Sequence, residues 1–261
     1  MSATSRIRVE ANGPILEITF DHPPAHAFDR QASFDLDAAF TRLETDKTLR
    51  CAIVTATGDR IFSGGWDLKS VASGGDSEDF GPRGFMGLRR FDLTKPFICA
   101  VNGLAVGGGF ELALMAPLVI AAPHAEFGLP ELHRGFVPEA GGLWRAQRKL
   151  PLNVAHDLFL TGRRLTAEEG LRLGFVNRIV AREALMQTAR DMAQQIVAAA
   201  PLAVAAYLDL TRALETKSDE EAFRIIKEER RPLHLRARAS SDYHEGARAF
   251  AEKRPPRWRG E

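Results

Sequence analysis

The sequence predicts an α/β fold with a helical final part, and three observations carry the prediction. Apolar runs short enough to be strands alternate with helical-period segments through the first half of the chain. Two glycine-rich turns, at residues 62–69 and 102–111, each follow such a run. Beyond Gly141 strand signals become sparse, and proline starts and capping-box patterns take over.

The elements follow in order. The apolar segments 7–9 and 15–20 flank Asn12-Gly13, the strongest short hairpin signal because both residues tolerate positive φ, so two paired strands are expected first. Over 33–44, Leu36, Phe40 and Leu43 fall at helical spacing, and 51–55 reads as a buried strand, giving a ββαβ beginning. Residues 70–90 are rich in Gly, Ser and Asp with scattered Phe and show neither period, which predicts a mobile loop covering a ligand. A strand over 97–101 then leads into Gly107-Gly108-Gly109, a helix over 110–115 and a strand over 118–121. Pro151 suits the first turn of a helix, and Thr166-x-x-Glu169 and Ser218-x-x-Glu221 read as capping boxes. A short strand is expected over 176–180 and a long amphipathic helix over 184–199. Pro201 starts the next helix, so the domain boundary falls there, with residues 1–200 as the core and 201–261 as a helical extension.

Composition narrows the function classes. A chain of 261 residues with 45% apolar and 26% charged residues is expected to fold around a substantial core. Its net charge of +1 supplies no global field for nucleic acid or anionic lipid. Basic residues outnumber acidic ones over 224–261, which reads as a solvated helical face. Cys51 and Cys99 each lie inside an apolar run, as reduced core residues of a cytoplasmic protein do. The Met-Ser-Ala-Thr-Ser-Arg start has no apolar signal-type core, and no apolar stretch approaches the ~20 residues that span a bilayer, so a soluble cytoplasmic protein is expected. The seven histidines form no HExxH or Cys/His ligand spacing and there is no GxSxG elbow, so neither a metal site nor a serine hydrolase is indicated.

The chemistry-bearing residues gather near the glycine turns. Glycines there let a ligand approach the backbone and let amides point outward, where a pair of them grips a developing oxyanion for roughly 3 kcal/mol per donor. A lone glycine cluster is more often a packing turn. The second turn is no dinucleotide fingerprint: with Gly107 and Gly109 as its first glycines the sixth position is Leu112, and Pro123-His124 follows the next strand where an acid should stand. Glu111 falls just inside a helix of otherwise apolar residues and Glu131 follows Pro130, both close to glycine turns. Singly each acid is explained by a helix dipole, whereas together they suit a base and an acid sharing a water.

At these residues the sequence resembles the enoyl-CoA hydratase/isomerase, or crotonase, superfamily over about residues 7–260. FSGGWDLK, KPFICAVNGLAVGGGFELAL, FGLPELHRGFVPEAGG, LTGRRLTAEEGLRLGFVNRIV and EGARAFAEKRPPRW stand in the family's order. The motifs are most similar to the family's carnitinyl-CoA dehydratase branch. The resemblance implies a spiral of ββα units with a C-terminal helical region that builds trimers or hexamers. It implies an oxyanion hole from the amides of Trp66 and Gly108, with Glu111 and Glu131 as catalytic carboxylates. Coenzyme A contacts would come from Ala25, Ala27, Gly64, Gly65, Trp66, Asp67, Leu68 and Lys253. The expected reaction is hydration of an enoyl thioester or its reverse, with carnitinyl-CoA as one substrate and no cofactor or metal. The alternatives are a double-bond isomerase of the same superfamily, or an acyl-CoA-binding or RNA-binding protein that kept the fold. Three positions depart from the family pattern: His26 where many relatives have Asn, Pro117 where Asp is common, and Trp144, whose bulk is expected to reshape the acyl pocket.

Overall fold

The computed structural model describes residues 6–74, 80–90, 92–228 and 231–261. Residues 75–79 of the expected covering loop, and Glu229 and Arg230 of the basic stretch, lie outside the described residues. The chain divides into two compact units, residues 1–91 with 97–193, and residues 92–96 with 194–261.

The first unit opens with the expected hairpin, β1 (Ile7–Asn12) against β2 (Ile15–Phe20). Asn12 pairs with Ile15, so the turn residues are Gly13 and Pro14, one position later than the Asn-Gly signal; Gly13 supplies the φ of +58°. Helix α1 (Arg30–Thr45) is capped by Asp29, which accepts from the Ala32 amide, and it buries Leu36, Phe40 and Leu43. β3 (Cys51–Ala56) is buried along its length, as a central parallel strand must be. β4 (Ile61–Ser63) and the short helix α2 (Leu68–Ala72) bracket the first glycine turn. β5 (Phe97–Val101), β6 (Leu104–Val106) and α3 (Gly108–Met115) bracket the second. β7 (Leu118–Ala121) and β8 (Glu126–Gly128) follow, then α4 (Gly142–Lys149) and α5 (Leu152–Thr161). β9 (Leu165–Thr166), α6 (Ala167–Arg172), β10 (Arg178–Ile179) and α7 (Leu185–Val197) complete the series.

Two sheets form among the described residues. The larger runs β1-β2-β3-β5-β7-β10, parallel from β2 onward, and the smaller runs β4-β6-β8-β9. β4 runs directly into Gly64-Gly65 and β6 into Gly107-Gly108-Gly109, and because β4 pairs with β6 the smaller sheet delivers both glycine turns to one place. The core includes Leu16, Ile18, Leu36, Phe40, Val54 and Ile98, all fully buried, each side chain contributing about 1.5–3 kcal/mol. Phe110, Phe127 and Phe175 pack together under α3 with ring centroids 5.0–5.4 Å apart. Both cysteines are buried and free, and burial pushes the Cys51 thiol up to about 12.

In the second unit, α8 (Pro201–Leu214) carries Asp209, which takes a two-pronged bond from Arg231 at 2.6 and 2.7 Å. α9 (Asp219–Lys227) has the complete Ser218/Glu221 capping box. α10 (Pro232–Ala239) packs on α8, and α11 (Ser241–Ala251) ends the helical series. The final segment is pinned back: Asp242, buried, accepts from the Arg259 and Gly260 amides at 2.7 and 2.9 Å, and Trp258 Nε1 donates to Ala198 O at 2.7 Å. No single helix among the described residues is long and apolar enough to cross a membrane.

Candidate active site

Two peptide planes are aimed by the bonds their carbonyls make. Gly65 O accepts from Phe28 N at 2.8 Å, and because the Gly65–Trp66 peptide is trans, the Trp66 N–H points away from Phe28. Gly107 O accepts from Glu111 N at 2.9 Å along the axis of α3, so the Gly108 N–H, first in the helix and without an intrahelical acceptor, points outward from its N-terminus. The two turns touch: a methyl on Gly65 would stand 2.7 Å from Gly108 N, and Gly65 takes a φ of +76° that glycine alone adopts at no steric cost. Trp66 and Gly108 both line a cavity of about 920 Å³.

Glu111 projects into this cavity from the first turn of α3 and is only 3% exposed. Its Oε1 accepts from Gly142 N at 2.8 Å, and the Ala140 amide also favours its charged form. Burial pushes its carboxyl up to about 7 against the lowering effect of those amides and of the Arg145 charge. Glu131 enters from a 3-10 turn, Glu131–Arg134, that follows β8. Burial first, and then the negative charge of Glu111, push its carboxyl up to about 7 also. Its Oε2 is buried with no hydrogen-bond partner among the described residues. The pair therefore retains a proton near neutral pH, and its two carboxyls titrate as a unit. One group of this kind takes a proton while the other gives one, which is acid–base chemistry on a molecule between them.

The lining also includes His22, Pro23, Pro24, Ala25, Ala27 and Gly64. An aromatic wall forms in the same lining where Trp66 meets Phe80, Phe85 and Phe136 with ring centroids 5.9–6.4 Å apart. The described part of the covering segment, with Phe80, Phe85, Leu88 and Arg89 in the lining, is clamped to α1. Arg90, with a side chain 1% exposed, donates from Nε to Asp37 Oδ1 at 2.8 Å and also bonds Thr41 Oγ1, while Arg83 meets Asp37 at 3.3 Å.

Of the residues expected at the site, Glu111, Glu131, Trp66, Gly108, Ala25, Ala27, Gly64, Asp67 and Leu68 share the cavity lining. Gly65 lies behind it, holding the turns together, and Lys253 belongs to the second unit and is not in the lining. Trp144, expected to reshape the acyl pocket, is not in the lining either; its ring stacks on the Arg145 guanidinium at 5.4 Å, because a residue of that size on α4 packs along its own helix. His26 is buried at a φ of +47°, a conformation in which Asn and His are both over-represented, and its carbonyl accepts from Ser63 Oγ, which in turn accepts from Gly65 N. Pro117 simply follows the end of α3, where Lys149 Nζ bonds Ala116 O at 2.6 Å. Sequence reasoning missed the aromatic wall, the Asp37 clamp and Arg145. The scattered Phe of 80–90 were the available signal for the first.

The enoyl-CoA hydratase/isomerase family model matches residues 10–261. A carnitinyl-CoA dehydratase of Salmonella arizonae is 50% identical, with 97% of this chain and 98% of the relative covered. One of Citrobacter koseri is 48% identical over 95% and 96%. Among solved structures, an enoyl-CoA hydratase from Mycobacterium tuberculosis H37Rv superimposes with a TM-score of 0.91 at 37% identity, covering 99% of this chain and all of that one. The expected fold and the expected relationship both hold: this chain belongs to the enoyl-CoA hydratase/isomerase family.

Proposed function

We propose that the chain is a hydro-lyase that adds water to, or removes it from, the α,β bond of an acyl-coenzyme A thioester, with Glu111 and Glu131 as its proton-transfer groups. The observation that carries the reading is the pair of carboxyls, Glu111 buried and Glu131 partly so, both held near 7, in one cavity with the outward amides of Trp66 and Gly108. In hydration, the thioester oxygen accepts from the two amides. One carboxylate takes a proton from water as its oxygen bonds Cβ, and the electrons of the double bond move onto the carbonyl as an enolate. The other carboxyl then delivers its proton to Cα, and dehydration reverses each step. An isomerase needs only one such acid, so the presence of both favours water addition.

For the acyl group, carnitinyl-CoA and its dehydration product are the leading candidates. Trp66, Phe80, Phe85 and Phe136 supply π faces suited to a quaternary ammonium, and the relatives from Salmonella and Citrobacter carry that substrate in their names. The coenzyme moiety is assigned to Ala25, Ala27 and Gly64–Leu68, with Lys253 as a phosphate contact. The thioester is the only organic group the reaction requires, so activity should survive dialysis against a chelator. The region 201–261, with Tyr207, Phe223, Tyr243 and Phe250 exposed, is assigned as the surface for a homotrimer or hexamer, and the protein to the cytoplasm. Sedimentation of the purified chain tests the assembly.

The deciding experiment follows the conjugated thioester absorbance on crotonobetainyl-CoA and crotonyl-CoA side by side, with products identified by mass. Fast turnover of the first alone supports the carnitinyl assignment. Turnover of the second alone makes the chain a general enoyl-CoA hydratase, a product with a moved double bond makes it an isomerase, and silence on both removes the hydro-lyase reading.

A further inference from the structure

Arg145 lies on α4, one turn beyond the point at which Glu111 is held. Its Nη1 donates to Ala140 O at 2.9 Å and its Nη2 to Leu88 O at 2.8 Å. The Gly142 amide bonds the Glu111 carboxyl, the Ala140 amide beside it favours the charged form, and Leu88 belongs to the cavity wall on the covering segment. One guanidinium therefore ties the cradle of the carboxyl to the wall of the acyl pocket. The backbone is shaped to admit it: Gly141 takes a φ of +126°, and a methyl there would collide with Arg145 Nη1. Trp144 covers the face of the guanidinium, which limits its freedom to leave.

We propose that Arg145 is a positioning residue that locks the Glu111 cradle to the covering segment, so that the carboxyl and the wall closing over the acyl group hold one fixed relation. The inference rests on Glu111 being a proton-transfer group. Two properties of the arginine contribute separately. Its planar fork spans two carbonyls, which a lysine ammonium on a single stem does not do with the same geometry. Its charge favours the ionised form of Glu111, against Glu139 on the adjoining segment and Glu131 across the cavity, whose charges oppose it.

Arg145→Met and Arg145→Lys are compared with the unaltered protein by thermal melting, by kcat and KM, and by the dependence of kcat on pH. The Met variant is expected to lose on the order of 10²-fold in kcat through misplacement of the carboxyl, with the limb reporting Glu111 moved to higher pH. The Lys variant, which keeps the charge, should return the limb to its place while kcat stays depressed. Combining Arg145→Met with Glu111→Gln should cost no more than Glu111→Gln alone, because the arginine acts through that carboxyl. A folded Met variant with an unmoved pH profile, or losses that multiply in the double variant, would overturn the proposal. If the Met variant does not fold, the Lys variant and its combination with Glu111→Gln decide the matter by the same cycle. Carboxyl titration of Glu111 by 13C NMR gives a readout without turnover: an inactive unaltered protein would sink the hydro-lyase reading, while a Glu111 titration midpoint unchanged by Arg145→Met would sink this one.

Discussion

Gly107 and Glu131 face each other at the N-terminus of α3: a methyl group on Gly107 would stand 3.1 Å from Glu131 Oε1. The same glycine sits at φ +55° and ψ −129°, and its carbonyl orients the Gly108 amide. One backbone position thus sets both a proposed proton-transfer group and a proposed oxyanion donor.

Gly107→Ala is accordingly expected to act twice. Positive φ on an alanine costs about 1–2 kcal/mol, seen as a lower melting temperature. Turning the Gly108 amide away costs a further 10²–10³-fold in kcat, on the order expected for losing one oxyanion donor. A variant that melts lower yet keeps full kcat would show that the amide is not used.

Glu111→Gln and Glu131→Gln should each reduce kcat by about 10²–10⁴-fold. They differ in what they do to the survivor. The charge of Glu111 raises the proton affinity of Glu131, so Glu111→Gln should move the remaining limb of the kcat profile to lower pH. Kinetic titration of the single variants checks the direction, and a shift to higher pH would contradict the arrangement.

The same two carboxyls make stability depend on pH. Each binds its proton more tightly in the fold, near 7, than at the ordinary glutamate value of 4.5. Their contribution is therefore fully present below the ordinary value and is lost as pH rises through about 7. The Glu111→Gln/Glu131→Gln protein, which has no charge to bury, should gain on the unaltered protein between about pH 5 and about pH 8, by on the order of 3 kcal/mol. Urea unfolding at the two ends of that window measures the gain.

Asp37→Ala removes the carboxylate that Arg90 and Arg83 share. Leaving the buried Arg90 guanidinium without its counter-charge should cost about 3 kcal/mol. Because Phe85 and Leu88 hang on the same segment, KM for the acyl thioester should rise more than kcat falls. Unfolding and steady-state kinetics on one preparation separate the two effects, and an unchanged KM would mean that the clamp serves stability alone.

Much of this was legible in the sequence where period or punctuation was strong. The strand over 97–101 and the strand over 118–121 appear as β5 and β7 at those residues, because continuous apolar runs bounded by Pro, Gly or Asn admit few other readings. Ser218 forms its capping box as expected, whereas Thr166 caps its helix without the reciprocal bond because the Glu169 carboxylate takes Arg163 instead. The smaller sheet was not legible: β4, β6, β8 and β9 have two or three residues each, too few to show a period, and β6 lay inside what read as a glycine turn. Residues 80–90 hid for another reason. Met86 and Arg90 are buried there through long-range partners, Gly108 and Asp37, that no local pattern announces. Glu111 and Glu131 could be singled out one by one, but that they share one cavity is a product of topology.

The clamp between α1 and the covering segment also divides the molecule's labour. The proposed proton-transfer groups stand on α3 and on the turn after β8, whereas Phe80, Phe85, Leu88 and Arg89 hang from a stretch that Asp37 fastens to α1. Exchanging the Phe80 or Arg89 side chain can recut the shape offered to the acyl group, provided that Met86 still packs on Gly108 and the Leu88 carbonyl still holds Arg145. Selection, or an engineer, can therefore trade one acyl group for another while inheriting the same reaction.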